Sequence, residues 1–265
     1  MRPELRILDD AAAIATEAAM EFAVAARASV TAHGFFSVAL AGGSTPRRLY
    51  ETIAKVDAAR GNVPWETIHI FFGDERPVGP DHAESNFHMA SDALLSRVPI
   101  PERNIHRMLG EMDDPERAAE LYELDLRSFF VTRTALTASS MLPASVRPAI
   151  EGVWPRFDLI LLGMGADGHT ASLFPETTAV WEQRRWVAAN WVPKLEQHRL
   201  TLTPPVLNSA DRVLFLVSGD DKAEALAEVL ESERDPGRLP AQIVHPWQGQ
   251  VTWLVDLPAA AKLAS

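Results

Sequence analysis

The feature that most constrains this chain is the apolar run Phe157-Asp158-Leu159-Ile160-Leu161-Leu162 with the loop behind it, Gly163-Met164-Gly165-Ala166-Asp167-Gly168-His169-Thr170-Ala171-Ser172-Leu173-Phe174-Pro175. An apolar run of this length, bounded by Pro155 and by glycines, predicts a central strand buried on both faces, and such strands belong to parallel sheets. In open α/β sheets, ligands sit beyond the carboxyl ends of the strands. That position here carries glycines, a carboxylate, an imidazole and two hydroxyls, which makes the loop a candidate site. His169 with Asp167 two residues away is the minimum for a tunable general base.

Gly163-x-Gly165-x-x-Gly168 after a strand also matches the dinucleotide-binding fingerprint letter for letter. That fingerprint needs a long helix opening at its third glycine, and Pro175 cuts off anything beginning at Gly168 within about two turns. It also needs an acid at the end of a second strand about twenty residues on. Glu182 stands in Trp181-Glu182-Gln183-Arg184-Arg185, which has no strand pattern, and Asp167 would set a carboxylate beside the pyrophosphate. A dinucleotide is excluded on these grounds.

Around the central run the chain alternates helical and strand patterns. Residues 11–32 are alanine-rich and helical in period, closed by His33-Gly34. Residues 35–41 read as a strand, followed by Gly42-Gly43-Ser44-Thr45-Pro46 and an amphipathic helix with Leu49, Ile53 and Val56 on one face. Thr45 is the expected N-cap there and Pro46 the first helical residue. Residues 67–72 predict a short strand ending in Gly73-Asp74-Glu75-Arg76, and residues 86–98 and 115–130 predict helices. Between Thr132 and Trp154 the pattern dissolves into Thr, Ala, Ser and Pro, which predicts an irregular insertion. Later strands are expected at 186–192, 199–203, 212–218 and 251–256, with a helix at about 222–232. This alternation predicts one α/β domain over residues 1–265: three layers, Rossmann-like, with a mostly parallel sheet and helices on both faces.

A net charge of -11 argues against a nucleic-acid or anionic-membrane surface, so an anionic substrate needs a local basic site. With no cysteine, neither a disulfide framework nor a thiolate site is available. The amino terminus lacks the apolar core of a signal peptide and no stretch approaches a membrane span, so a cytoplasmic protein is expected.

Three further loops carry chemistry. Gly42-Gly43-Ser44-Thr45-Pro46 joins a strand end to a helix start, where free backbone N–H groups, hydroxyl donors and the helix dipole favour an anion. The same residues also make an ordinary capped turn, and the lack of a Walker lysine disfavours nucleoside triphosphates. Asp74-Glu75-Arg76 lies at another strand end, where a solvated charge cluster is the commoner outcome. Lys194 stands before a strand and Arg199 near its start, so with Arg76 they are the candidate phosphate-holding cations.

Ala41-Gly42-Gly43-Ser44-Thr45-Pro46, Gly73-Asp74-Glu75-Arg76 with Ser85-Asn86, the 163–175 loop, and Lys194 with Arg199-Leu200-Thr201-Leu202-Thr203 together resemble the 6-phosphogluconolactonases. The likeness runs in order over about residues 39–253. The chain departs in having Leu195-Glu196-Gln197 where the family usually has prolines after the lysine, and in the 132–154 stretch.

The resemblance implies a fold of the deaminase/lactonase type and hydrolysis of 6-phospho-D-glucono-1,5-lactone to 6-phosphogluconate in the oxidative pentose phosphate pathway. It implies a small-molecule phosphosugar lactone as the only ligand, no cofactor or metal, and a monomer, alternatively a dimer. His169 would take a proton from the attacking water, Asp167 would orient or charge-stabilise the ring, and Arg76 would stabilise the oxyanion. Gly42, Gly43, Ser44, Thr45, Asp74, Lys194 and Arg199 would hold substrate and its phosphate. Activity is expected to fall below about pH 6 to 7, the range of an unperturbed imidazole. The related glucosamine-6-phosphate deaminases and sugar-phosphate isomerases share the Gly-Gly and Asp-Gly-His loops. The deaminases carry a glutamate five residues after the histidine, where this chain has Phe174, and a tyrosine in place of Arg76. A sugar-phosphate-sensing regulator domain would carry a DNA-binding module, for which no residues are expected before Arg6.

Overall fold

The computed structural model describes residues 3–60, 63–138 and 154–264. From the amino end the chain forms β1 (Glu4–Leu8), α1 (Ala11–His33), β2 (Phe36–Leu40), α2 (Ser44–Arg60), β3 (Ile68–Phe72) and the short β4 (Asp74–Glu75). Next come α3 (Asn86–Ala93), α4 (Pro115–Ala138), β5 (Leu159–Leu162), β6 (Val187–Val192) and β7 (Gln197–Leu202). The chain closes through α5 (Pro204–Ser209), β8 (Arg212–Val217), α6 (Ala223–Glu231) and β9 (Gln250–Asp256).

Six strands make one sheet in the order β1-β9-β8-β5-β2-β3, and every pairing in it is parallel. β5 is the expected central strand: Leu159 to Leu162 are buried on both faces, each contributing roughly 1.5–3 kcal/mol by leaving water. Asp158, the one charged residue in its apolar run, is also buried. It accepts bonds from the Ser37 N–H and hydroxyl at 2.7 Å each, and its other oxygen meets His33 Nε2 at 2.8 Å. The carboxylate thereby ties β5 to β2 and to the end of α1. From β2 the chain order grows outward through β3, and from β5 through β8 and β9, so the switch in strand order lies between β2 and β5. Such a crevice is where open α/β sheets bind ligands.

Layering follows from side-chain parity. Phe36 is in register with Ile68, so His69 and Phe71 point to the opposite face. Phe22 of α1 packs edge-on to Phe36 at 5.3 Å, whereas Phe129 of α4 packs onto His69 and Phe71 at 4.6 and 5.0 Å. The two helices therefore cover opposite faces, which gives the three layers expected of an α/β sheet.

Several local expectations change. β6 and β7, foreseen as strands, join β4 in a separate antiparallel sheet of order β4-β7-β6. They are linked only by the turn at Pro193–Leu195, with Glu196 at φ 51°, and so short a connection permits only an antiparallel pair. α2 opens at Ser44, not after Thr45: Arg47 N–H donates to Gly43 O at 3.1 Å, which makes Gly43 the cap. α4 continues to Ala138, so the start of the stretch read as irregular from Thr132 is helical, and the remaining part of that insertion, residues 139–153, lies outside the described residues. β1 was not foreseen, because Leu5 and Ile7 of this edge strand stay largely exposed and give no inward apolar pattern. No helix follows Gly168; the chain turns back through a bridge between Thr170 and Leu173, as the rejection of a dinucleotide site requires.

Candidate active site

Three strand ends meet at the switch point. β2 leads into Gly42 to Thr45, β5 into Gly163 to His169, and β8 into Ser218 to Lys222; with Asp74 and Arg76 they surround a cavity of about 340 Å³. The first turn of α2 faces it, and helix-start amides have no partner within their own helix.

The β5 loop is built around one close contact. Asp167 Oδ1 lies 2.5 Å from His169 Nδ1 and accepts the His169 N–H at 3.2 Å. A carboxylate only accepts, so the ring proton is on Nδ1 and the Nε2 lone pair is left over; Nε2 has no partner among the described residues. The loop closes through Gly165 N–H to His169 O at 2.9 Å and Thr170 Oγ1 to Gly163 O at 2.8 Å. Position 165 must be glycine, since a Cβ there would lie 2.1 Å from His169 Nδ1 and 2.7 Å from Asp167 Oδ1.

Phe174 stacks on the imidazole with centroids 4.2 Å apart, and Lys194 Nζ lies 4.7 Å from the Phe174 centroid while pairing with Asp167 Oδ2. Base, carboxylate, cation and aromatic ring thus form a closed circuit. Burial draws the His169 pKa down to about 4; Asp74 opposes that, and Lys222, Arg199 and Arg76 reinforce it. The imidazole is therefore neutral at neutral pH, and the expected titration near pH 6 to 7 moves down.

Asp74 and Glu75 are not a solvated cluster but buried. β4 pairs Asp74 with Thr201, and the Asp74 carboxylate accepts from Ser172 Oγ at 2.7 Å and Asn86 Nδ2 at 3.1 Å. Asn86 in turn presses on Gly42, where a Cβ would fall 1.9 Å from its Oδ1. Glu75 accepts the Ser85 hydroxyl and the N–H groups of Arg76, Asn86 and Phe87, which anchors the start of α3; burial still pushes its carboxyl above the ordinary range. This network joins the α2 loop, the β5 loop and β4 into one frame.

Arg76 donates to Glu84 O and lines the cavity. Arg199 is half-buried with Nη1 enclosed and unpartnered, and burial together with Arg76 holds its pKa below the ordinary value. Asp74, Glu75 and Glu84 lie close enough to oppose that lowering in part. Among the described residues, no group of three or more His, Asp or Glu is placed to hold a metal ion.

The sequence model of the family described as Glucosamine-6-phosphate isomerases/6-phosphogluconolactonase matches residues 9–253. The chain belongs to this family. A 6-phosphogluconolactonase of Synechocystis sp. is 43% identical over 235 residues, 89% of this chain and 88% of that one. One of Nostoc sp. is 37% identical over 264 residues, with 100% of both chains covered. The structure of the 6-phosphogluconolactonase from Trypanosoma cruzi matches at a TM-score of 0.81 and 28% identity, over 100% of this chain and 98% of that one. The resemblance read from the motifs and the α/β fold class are both borne out.

Within that family frame, the cavity brings together Gly42, Gly43, Ser44, Thr45, Asp74, Arg76 and His169, all foreseen. Asp167 reaches it through His169. Lys194 and Arg199 do not line it: Lys194 is engaged with Asp167, and Arg199 lines a separate cavity with Trp191 and His198 and acts on His169 through its charge. Lys222 was missed. It lines the cavity from the turn after β8, paired with Asp221 at 2.7 Å. The available signal was Ser218-Gly219-Asp220-Asp221-Lys222 between an apolar run and a helix, the same arrangement of strand, glycine turn and helix as at Gly42.

Proposed function

We propose that this enzyme hydrolyses 6-phospho-D-glucono-1,5-lactone to 6-phospho-D-gluconate, with His169 as the general base. The observation that carries the reading is the His169 ring, fixed on Nδ1 by Asp167 with Nε2 left unpartnered, at the edge of a cavity that also holds a helix start and cations.

Nε2 takes a proton from water as its oxygen bonds to the lactone carbonyl carbon, and Asp167 stabilises the imidazolium that forms. Arg76 stabilises the charge on the carbonyl oxygen. Collapse of the tetrahedral intermediate breaks the bond to the ring oxygen, which takes the proton from His169; the new carboxylic acid then ionises and releases one proton. At the other end of the substrate, the first-turn amides of α2, the Ser44 and Thr45 hydroxyls and Lys222 hold the phosphate. Lys194, first assigned to phosphate, is reassigned to Asp167, which it contacts. Asp74 holds the frame and faces the substrate.

Phe174 argues against deamination, because an aromatic ring covers the imidazole face where a proton relay would need an acid. A phosphorylated lactone does not cross a bilayer, so the enzyme works where the lactone forms, which we place in the cytoplasm.

Proton release from freshly generated 6-phosphogluconolactone tests the assignment. The protein is expected to accelerate it well beyond spontaneous opening, and release at the spontaneous rate would refute the assignment.

A further inference from the structure

We infer that Asp256, outside every motif of the site, is the positioning residue that fixes the Lys222 turn for phosphate binding. The inference rests on the assignment of Lys222 to phosphate and goes one step behind it.

β8 and β9 run parallel with Val217 beside Val255, so the residues that follow, Ser218 and Asp256, emerge together at the carboxyl edge of the sheet. Ser218 lines the cavity. Asp256 is 3% exposed, and its carboxylate accepts the Ser218 hydroxyl at 2.5 Å, the Gly219 N–H at 3.1 and 3.3 Å through its two oxygens, and the Ala259 N–H at 2.9 Å. No cation is paired with it among the described residues. Every bond it makes goes to a short-range donor, and two of its three partners are the residues that open the Lys222 turn.

The turn's other support is local backbone bonding, with the Ala223 N–H donating to Asp220 O. Lys222 N–H closes it on Gly219 O at 3.2 Å, and the three residues Asp220–Lys222 form a single helical turn before α6. Gly219 holds φ 105°, and a Cβ there would lie 2.7 Å from Asp221 Oδ1, so the turn is bent tightly enough to bring Asp221 and Lys222 back toward the cavity. A buried charge is costly unless its surroundings saturate it with donors. Here the donors come from the loop that carries the phosphate cation, so disordering the loop strands the carboxylate and the two are mutually stabilising. Asparagine substitutes only in part: its one oxygen can keep the Gly219 and Ala259 N–H groups, but its NH2 then stands in the place of the oxygen that lies 3.3 Å from the Gly219 N–H, the Ser218 hydroxyl must turn from donor to acceptor, and the charge that strengthens all these bonds is lost.

Asp256→Asn is therefore expected to raise KM for the phosphorylated lactone about tenfold and the inhibition constant of inorganic phosphate by a similar factor, while kcat changes less than about threefold. Preference for phosphorylated over unphosphorylated lactone should fall by the same tenfold. Ser218→Ala, which removes one of the three partners, should act in the same direction by about threefold and serves if Asp256→Asn does not fold. In a Lys222→Ala background, Asp256→Asn should add nothing further to KM. Parallel loss of kcat on both lactones, or a full additional effect in the Lys222→Ala background, would overturn the inference. If Lys222→Ala raises KM but neither Asp256→Asn nor Ser218→Ala does, the phosphate assignment stands and the role of Asp256 falls. If Lys222→Ala itself leaves KM unchanged, the assignment of Lys222 is what fails, and the role inferred for Asp256 fails with it.

Discussion

His169 combines a low proton affinity with a free Nε2. Because burial places its pKa at about 4, the acid limb of kcat/KM should lie near pH 4 and not near the 6 to 7 of an ordinary imidazole; a pH-rate profile of the free enzyme checks this, and a limb at 6.5 would contradict it. The same shift has a stability consequence whose sign is fixed. The folded pKa lies below the unfolded value of about 6.5, so this contribution is present above pH 6.5 and is lost as pH falls toward 4. Lys194→Met removes the cation from Asp167 and frees the carboxylate to favour the imidazolium, which should move the acid limb upward by roughly half to one unit. An unmoved limb would return Lys194 to other work. Legibility at this scale followed chain proximity. Asp167 and His169 stand two residues apart and were readable, whereas Asp74 entered only through the family resemblance, since its own triplet reads as a solvated cluster and its burial comes from pairing with Thr201 of β7. Lys222 was not read: its glycine turn resembles the one at Gly42, but what brings it to the same cavity as Ser44 is the lateral order of β8, β5 and β2, which no local pattern encodes.

Loop and strand geometry explains why glycines recur at the site. Gly165 lets the backbone pass directly under the Asp167–His169 pair, so Gly165→Ala should displace the ring, lowering kcat by more than about tenfold and stability by about 1–3 kcal/mol, measurable by kinetics and thermal melting. Wild-type turnover in that variant would mean that the loop has room that the geometry denies. Apart from the exposed edge strand β1, the strands of the central sheet were legible from their apolar runs, because a strand covered on both faces must be apolar throughout. Helix boundaries were less so: Pro46 was read as the first helical residue, whereas Gly43 is the cap and Pro46 falls two residues further into the first turn, where its missing N–H would have had no partner in any case. The hairpin of β6 and β7 was foreseen as strands but not as a sheet of its own, since pairing partners are set by the length of the turn at Pro193–Leu195 and by the arrival of β4.

At the scale of the whole molecule, a chain with net charge -11 must bind an anion against its own field. Short-range donors therefore carry recognition, and inorganic phosphate or sulfate should compete with the lactone, while unphosphorylated gluconolactone should be a poor substrate. Arg199→Ala should raise KM more than it lowers kcat, because the enclosed Nη1 adds to the positive region without touching the base. Failure of phosphate to compete would reduce the start of α2 to an ordinary capped turn. The circuit of His169, Asp167, Lys194 and Phe174 draws on the β5 loop and on the turn before β7, two parts of the chain that meet only in the folded sheet. The most direct test of the account is pH-stat measurement of lactone opening by the wild type and by His169→Ala. Removing a positioned general base typically costs at least about a hundredfold, so the predicted result is a variant that folds normally and turns over at least a hundredfold more slowly. A His169→Ala protein that opens the lactone at the wild-type rate would contradict the account.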